Sequence, residues 1–241
     1  MSMITGSKRL AWRALLVLAM LKSGAALADM NDEPLLWFIG ADELELRGGD
    51  TDHMLAWDVD AWYGTTRDRM ILRAEGELEH GDTEEFETVI GYARAMTPYW
   101  NANIGWHADW QLSKPRHWAT VEWEGLAPGF VETRFQLLAG EGGRYSARIK
   151  LETEWMLNRS WQLEPTLKTD WYSDEDRRNQ LGSGWSGFDA GLRLKYRIHP
   201  RFMPYVGVQL TRLVGETARL ARANGRKARA LSVVAGLSFW F

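Results

Sequence analysis

The 241-residue chain contains no cysteine, so neither disulfide staples nor thiolate metal sites are available to it. It carries little net charge, formally −3, which removes the electrostatic case for a nucleic-acid partner. No stretch approaches the roughly 20 apolar residues that a helix needs to cross a bilayer. Compact catalytic signatures are missing as well: there is no Gly-x-Ser-x-Gly elbow, no His-Glu-x-x-His and no phosphate-binding glycine loop. Together these absences exclude a helical membrane protein and a disulfide scaffold, and leave no motif-borne enzyme. The chain is read as non-enzymatic. His117, on an outward strand position beside Trp118, is the one histidine worth testing for a motif-free lipid-modifying activity.

What the chain does have is alternation. In Trp100 to Leu112, the residues Trp100, Ala102, Ile104, Trp106, Ala108, Trp110 and Leu112 alternate with Asn101, Asn103, Gly105, His107, Asp109 and Gln111. Period two means strand, since successive side chains point to opposite faces. The same pattern recurs in 36–47, 54–64, 69–79, 84–95, 116–126, 130–140, 144–157, 161–172, 187–198, 203–214 and 229–241. With 100–112 these make about twelve strands, an even number as a single-chain bacterial barrel requires. Short connections after every second strand, such as Thr97-Pro98 and Ala127-Pro128-Gly129, read as periplasmic turns. The longest connections, Ser173 to Ser186 and Gly215 to Ala228, read as outer loops. Pro165, inside a strand, cannot donate a ladder hydrogen bond and predicts an irregularity there.

A soluble β-sandwich also alternates, because one face packs on a core. Three features weigh against it: aromatic residues at the ends of the apolar faces, charged residues filling the opposite faces, and an export signal. Lys8, Arg9 and Arg13 precede the apolar run Ala14 to Leu21, and Ala26-Leu27-Ala28 precedes Asp29. This is the layout of a secretory signal peptide over residues 1–28. The fold class expected is therefore all-β: an antiparallel transmembrane β-barrel of the outer membrane over residues 36–241, with a short N-terminal segment over 29–35 and a cleaved signal peptide before it. A mean hydropathy of −0.35 agrees with it, because lumen residues cancel lipid-facing ones in any average. The terminal Phe241, on the apolar side, resembles the signal read by the outer-membrane assembly machinery.

Inward positions are densely ionisable. Early strands place Glu43, Glu45, Asp58, Asp60, Glu75, Glu77, Glu79, Glu85 and Glu87 inside, whereas Arg193, Lys195 and Arg197 lie on a late one. One reading is an ion-pair network filling the bore. The other is a cation path or binding site. His107 and Asp109 share one inward face, where Glu122 or Glu124 of the neighbouring strand can join them, and Glu75 and Glu77 enrich the acidic side. Imidazole suits copper. A single lumen histidine is nonetheless more often a hydrogen-bonded group than a ligand. His53 and Met54, after Asp52, offer N and S donors at a loop end.

Leu55-Ala56-Trp57-Asp58-Val59-Asp60-Ala61-Trp62-Tyr63-Gly64, followed by Leu72-Arg73-Ala74-Glu75-Gly76-Glu77, closely resembles the copper resistance protein B family of Gram-negative outer membranes. Gly125-Leu126-Ala127-Pro128, Gly191 to Arg197 and Pro204 to Val208 are further matching blocks, and the resemblance runs from about Trp37 to Phe241. It implies a non-enzymatic outer-membrane barrel that meets lipid and copper ions, acts in copper sequestration or passage, and has a periplasmic multicopper oxidase as a candidate partner. The alternative is a structural or general-permeability barrel without metal specificity. Family members commonly carry a long Met- and His-rich segment before the barrel; here Asp29 to about Leu35 occupies that place, with Met30 its sole methionine. Any copper chemistry is therefore expected in the lumen.

Overall fold

A computed structural model describes residues 33–50, 53–79, 82–110 and 115–241. The expected signal peptide, Met30, Asp52, Gln111, Leu112 and the side chains of Glu79 and Glu85 lie outside the described residues.

Among the described residues twelve antiparallel strands form one sheet: β1 (Leu36–Gly49), β2 (Met54–Gly64), β3 (Asp68–Glu79), β4 (Asp82–Thr97), β5 (Trp100–Asp109), β6 (Arg116–Ala127), β7 (Val131–Gly140), β8 (Tyr145–Thr153), β9 (Trp161–Tyr172), β10 (Gly184–Tyr196), β11 (Phe202–Leu213) and β12 (Arg229–Trp240). Each strand pairs with the next, and β12 returns to β1 in the register Gly40↔Trp240 to Gly49↔Ser232. The sheet is thus closed, which is what allows a β-structure to stand in hydrocarbon without an unpaired edge. The C-terminal residue completes the seam: Phe241 N–H donates to the Ile39 carbonyl at 2.8 Å, and Ile39 N–H to the Phe241 carbonyl at 3.2 Å.

The barrel is polar inside and apolar outside. Glu45, Asp58, Arg73, Asn103, His107, Glu122, Gln136, Gln162, Glu164, Arg193 and Lys195 are buried, while Leu46 and Val233 are each 65 % exposed and Ile104 60 %. A soluble sandwich would show the reverse. Aromatic rings gather at both rims, with Trp161 and Tyr196 4.8 Å apart at the end that carries the termini and Trp106, Trp110 and His117 clustered near the other.

Strict alternation misses four features. In β1, Trp37 and Ile39 face outward but so do Leu44 and Leu46, because a bulge between Ala41 and Glu43 shifts the phase. The eighth strand is not continuous over 144–157: it stops at Thr153, and a two-residue piece, Trp155–Met156, resumes after Glu154. That break lies beside Pro165, whose missing N–H leaves β9 nothing to donate to β8 at this level; pairing runs through Thr166↔Glu152 on one side and Leu163↔Trp155 on the other. Finally, the connection expected as loop over 215–228 contains a helix, α1 (Gly215–Ala223). Its Thr217 hydroxyl accepts from Gly182 N–H at 2.9 Å, tying the two longest loops together over the barrel mouth. The tenth strand begins three residues earlier than the pattern indicates, at Gly184.

Candidate metal centre

The tight turn at Pro98-Tyr99 sets the register of the β4–β5 hairpin and brings Glu87 directly opposite Asp109, with Val89 opposite His107. Both His107 and Asp109 alternate inward on β5, near the end of the barrel that carries the long loops. His107 Nε2 lies 2.9 Å from Asp109 Oδ1 and 3.5 Å from Glu87 Oε2. One ligand atom from each of the three residues falls within 4.8 Å of the other two, the sole such grouping of three among the described residues. His107 and Asp109 are buried.

Basic groups already engage the carboxylates of this trio. Arg148 Nη1 donates to Glu87 Oε2 at 2.5 Å and Nη2 to Oε1 at 3.1 Å. Arg116 Nε donates to Asp109 Oδ2 at 2.9 Å, and the Trp118 indole N–H to the same oxygen at 3.1 Å. His107 Nδ1 is buried with no hydrogen-bond partner. A metal-bound imidazole ordinarily has its second nitrogen held by another group, which fixes the tautomer. The donor set of one imidazole and two carboxylates fits a borderline ion such as Cu(II), and contains no soft sulfur for Cu(I). A cation entering here competes with Arg148 for Glu87 and with Arg116 for Asp109.

The other residues singled out from the sequence stand apart from this trio. Glu122 lies opposite Asn103, four residues down β5 from His107, where it pairs with Arg73 and accepts from Asn103 Nδ2 at 2.5 Å and Gln136 Nε2 at 2.6 Å. Glu75 meets Lys168 at 2.7 Å, and Glu77 meets Arg47. His53 is exposed at the mouth beside Gly48, and Met54 opens β2 opposite Arg47. His117 faces outward, stacked on Trp106 at 5.4 Å and edge-on to Trp110 at 5.9 Å, a lipid-side setting. Reading alternation alone picks the inward residues but not their heights, so the third member of the trio is Glu87 of β4, not Glu122 of β6. Counting back from the Pro98-Tyr99 turn alone puts Glu87 opposite Trp110; the irregularity between Ala95 and Thr97 shifts the register by one residue and brings Glu87 opposite Asp109.

The early acidic and late basic strands do face each other across the bore. Lys150 of β8 reaches Asp58 of β2 at 2.6 Å, Lys168 of β9 reaches Glu75 of β3, and Arg193 of β10 clamps Glu45 of β1 through two nitrogens at 3.0 and 2.9 Å. Tyr205 O–H adds a 3.0 Å bond to the same carboxylate. A fully buried Lys195 meets Glu164 at 2.5 Å.

Residues 35–241 match the family model described as copper resistance protein B precursor (CopB). The chain is 33 % identical over 212 residues to a copper resistance protein B homolog of Pseudomonas syringae pv. tomato, spanning 88 % of this chain and 72 % of that protein. It is 31 % identical, over the same shares, to copper resistance protein B of Escherichia coli. Among solved structures it resembles the NanC porin, with a TM-score of 0.54 and 13 % identity over 85 % of this chain and 99 % of that one. The KdgM porin gives a TM-score of 0.52 at 10 % identity, also over 85 % and 99 % of the two chains. These porins share the fold of an outer-membrane barrel.

Proposed function

The chain belongs to the copper resistance protein B family and is an outer-membrane β-barrel, and from that premise we propose that it takes part in copper tolerance by binding Cu(II) transiently inside the barrel at Glu87, His107 and Asp109. The observation that carries this reading is the convergence of three N and O donors, one of them a buried imidazole, near the loop end of the lumen. Because Arg148 and Arg116 hold the carboxylates when copper is absent, the ion competes with resident positive charge. Such a site binds weakly and releases readily, which suits sequestration in transit or passage better than storage. The family and the porin-like fold are non-catalytic types, and no enzyme activity is proposed. The termini end faces the periplasm, the assembly machinery reads Phe241, and a periplasmic multicopper oxidase is a fitting recipient of the copper.

A second reading is favoured by a specific observation: Glu75, Glu77, Glu87, Asp109 and Glu122 each already have a basic partner, and His107 Nδ1 has no hydrogen-bond partner to orient it. On that reading the charges pack the interior and the barrel is indifferent to metal. Titrating the purified barrel with Cu(II) and recording its electron paramagnetic resonance spectrum separates the two. Coupling to one imidazole nitrogen, lost in His107→Ala and weakened in Glu87→Gln, supports the copper site. A spectrum identical in wild type and His107→Ala, or no binding at all, together with unchanged copper tolerance after gene deletion, overturns it.

A further inference from the structure

Two cavities lie within the lumen among the described residues. One, of about 510 Å³, opens toward the termini end and is lined by Asp42, Asp60, Arg73, Glu132, Arg134 and Glu152 among others. The second, of about 530 Å³, lies toward the loop end, where Glu75, Glu77, Glu87 and Lys168 line it and Gln180, Thr217 and Arg226 of the long loops cover it. A single residue, Lys150, lines both. Its ammonium group binds Asp58 Oδ2 at 2.6 Å. Asp58 stands on β2 and Lys150 on β8, six strands apart in a ring of twelve, so the pair spans the bore along its diameter.

Walls of buried polar side chains stand on either side of this strut. On one side Glu122 is held by Arg73, Asn103 and Gln136; on the other Glu45 is held by Arg193, Arg47 and Tyr205, next to Lys195 and Glu164. Arg73–Glu122 and Arg193–Glu45 each link strands three apart on one side of the ring. The strut differs in reaching across six strands; Asp58 Oδ1, like Asn103 Oδ1, is buried with no hydrogen-bond partner. Lys168 and Glu75 also lie six strands apart, yet each is 27 % exposed and lines the loop-end cavity alone, so that pair projects into open space and does not divide it.

We propose that the Lys150–Asp58 ion pair is the closed gate of an ion-conducting path through this barrel, joining the two cavities when it parts. The path is for small hydrated ions, since each cavity is bounded by charged side chains of both signs. A lysine makes a suitable gate bar, because its charge sits on a flexible four-carbon stem that can swing into either cavity, whereas the planar guanidinium groups of Arg73, Arg148 and Arg193 are each fixed by several bonds. This inference does not depend on copper being what passes.

The gate is tested by single-channel recording of the purified barrel in planar bilayers under a potassium chloride gradient. Wild type, Lys150→Arg and Lys168→Ala should show the same low unitary conductance. Lys150→Ala should raise it several-fold with preference for cations, because Asp58 then stands unpaired between the two cavities. Asp58→Ala should also raise it, with preference shifted toward anions by the remaining Lys150. Correct folding of each variant is read from its heat-modifiable migration on gels; should Lys150→Ala fail to fold, the double variant Asp58→Ala/Lys150→Ala, which leaves no lone charge, must show the rise. A folded Lys150→Ala or double variant at wild-type conductance overturns the proposal. So does an equal rise in Lys168→Ala, or the same ion preference in Lys150→Ala and Asp58→Ala.

Discussion

Replacing Lys195 by methionine should be among the most damaging single changes in the lumen, and replacing Glu164 along with it should largely cure the damage. Lys195 Nζ lies 2.5 Å from Glu164 Oε2, and both residues are buried. At that separation two unit charges attract by about 7 kcal/mol at an effective dielectric near 20, and by less than about 2 kcal/mol in bulk water. Most of the gain offsets the cost of drying the two ions. What Lys195→Met exposes is therefore the unpaired Glu164 carboxylate, and removing one partner of a buried pair typically costs about 3–5 kcal/mol. Methionine at 195 and leucine at 164 together leave no charge to desolvate, and such apolar replacements are commonly neutral or better, so the double variant should lie within about 1 kcal/mol of wild type. Urea unfolding in lipid vesicles, followed by tryptophan fluorescence, reads both variants. A loss under about 1 kcal/mol in Lys195→Met would show that water reaches the pair and screens it. A double variant as unstable as the single would refute the reasoning altogether, since the deficit would then come from lost packing.

Three further outcomes follow from the same geometry. Ile104→Arg, on the lipid face at the middle of β5, should destabilise the bilayer-embedded barrel by about 2–4 kcal/mol and far less in a water-filled control site; equal unfolding midpoints for the variant and wild type in vesicles would show that this face does not meet hydrocarbon. Gly76→Ala should cost about 1–3 kcal/mol in the same assay, because a Cβ there would run into the Trp57 ring that covers the glycine from the adjacent strand; an unchanged midpoint would mean that the ring moves aside freely. Deleting Phe241 should lower the amount of folded protein in the outer membrane several-fold while leaving refolding of the purified chain into vesicles nearly intact; equal losses in both settings would assign the residue to the β1–β12 seam and not to assembly.

The strands were legible because a membrane barrel imposes opposite demands on its two faces at every second residue. Trp100 to Asp109 reads as one such strand with its outward row and its inward row correctly sorted. Turn residues such as Pro98 and Pro128 then mark where each hairpin reverses. The bulge at Asp42 left no such mark, since Gly40-Ala41-Asp42-Glu43 is neither apolar nor polar enough in either phase to show where the alternation slips. The break at Glu154 was foreshadowed one strand away, by Pro165. For the site, the pairing of His107 with Asp109 was visible as two inward positions on one strand. Their approach to Glu87, and the guanidinium groups of Arg148 and Arg116 that occupy both carboxylates, were not.

By itself, the sequence determined that this protein is a closed barrel with a lipid face and a charged interior, because alternation is a local property, written residue by residue along each strand. Which charges meet was decided by the tertiary structure alone. Lys150 and Asp58 are 92 residues apart in the chain and face each other only because six strands carry the sheet halfway around the ring. The height at which they meet depends on the stagger accumulated over every intervening hairpin and on one bulge in β1, and a cylinder of known strand count still permits many staggers.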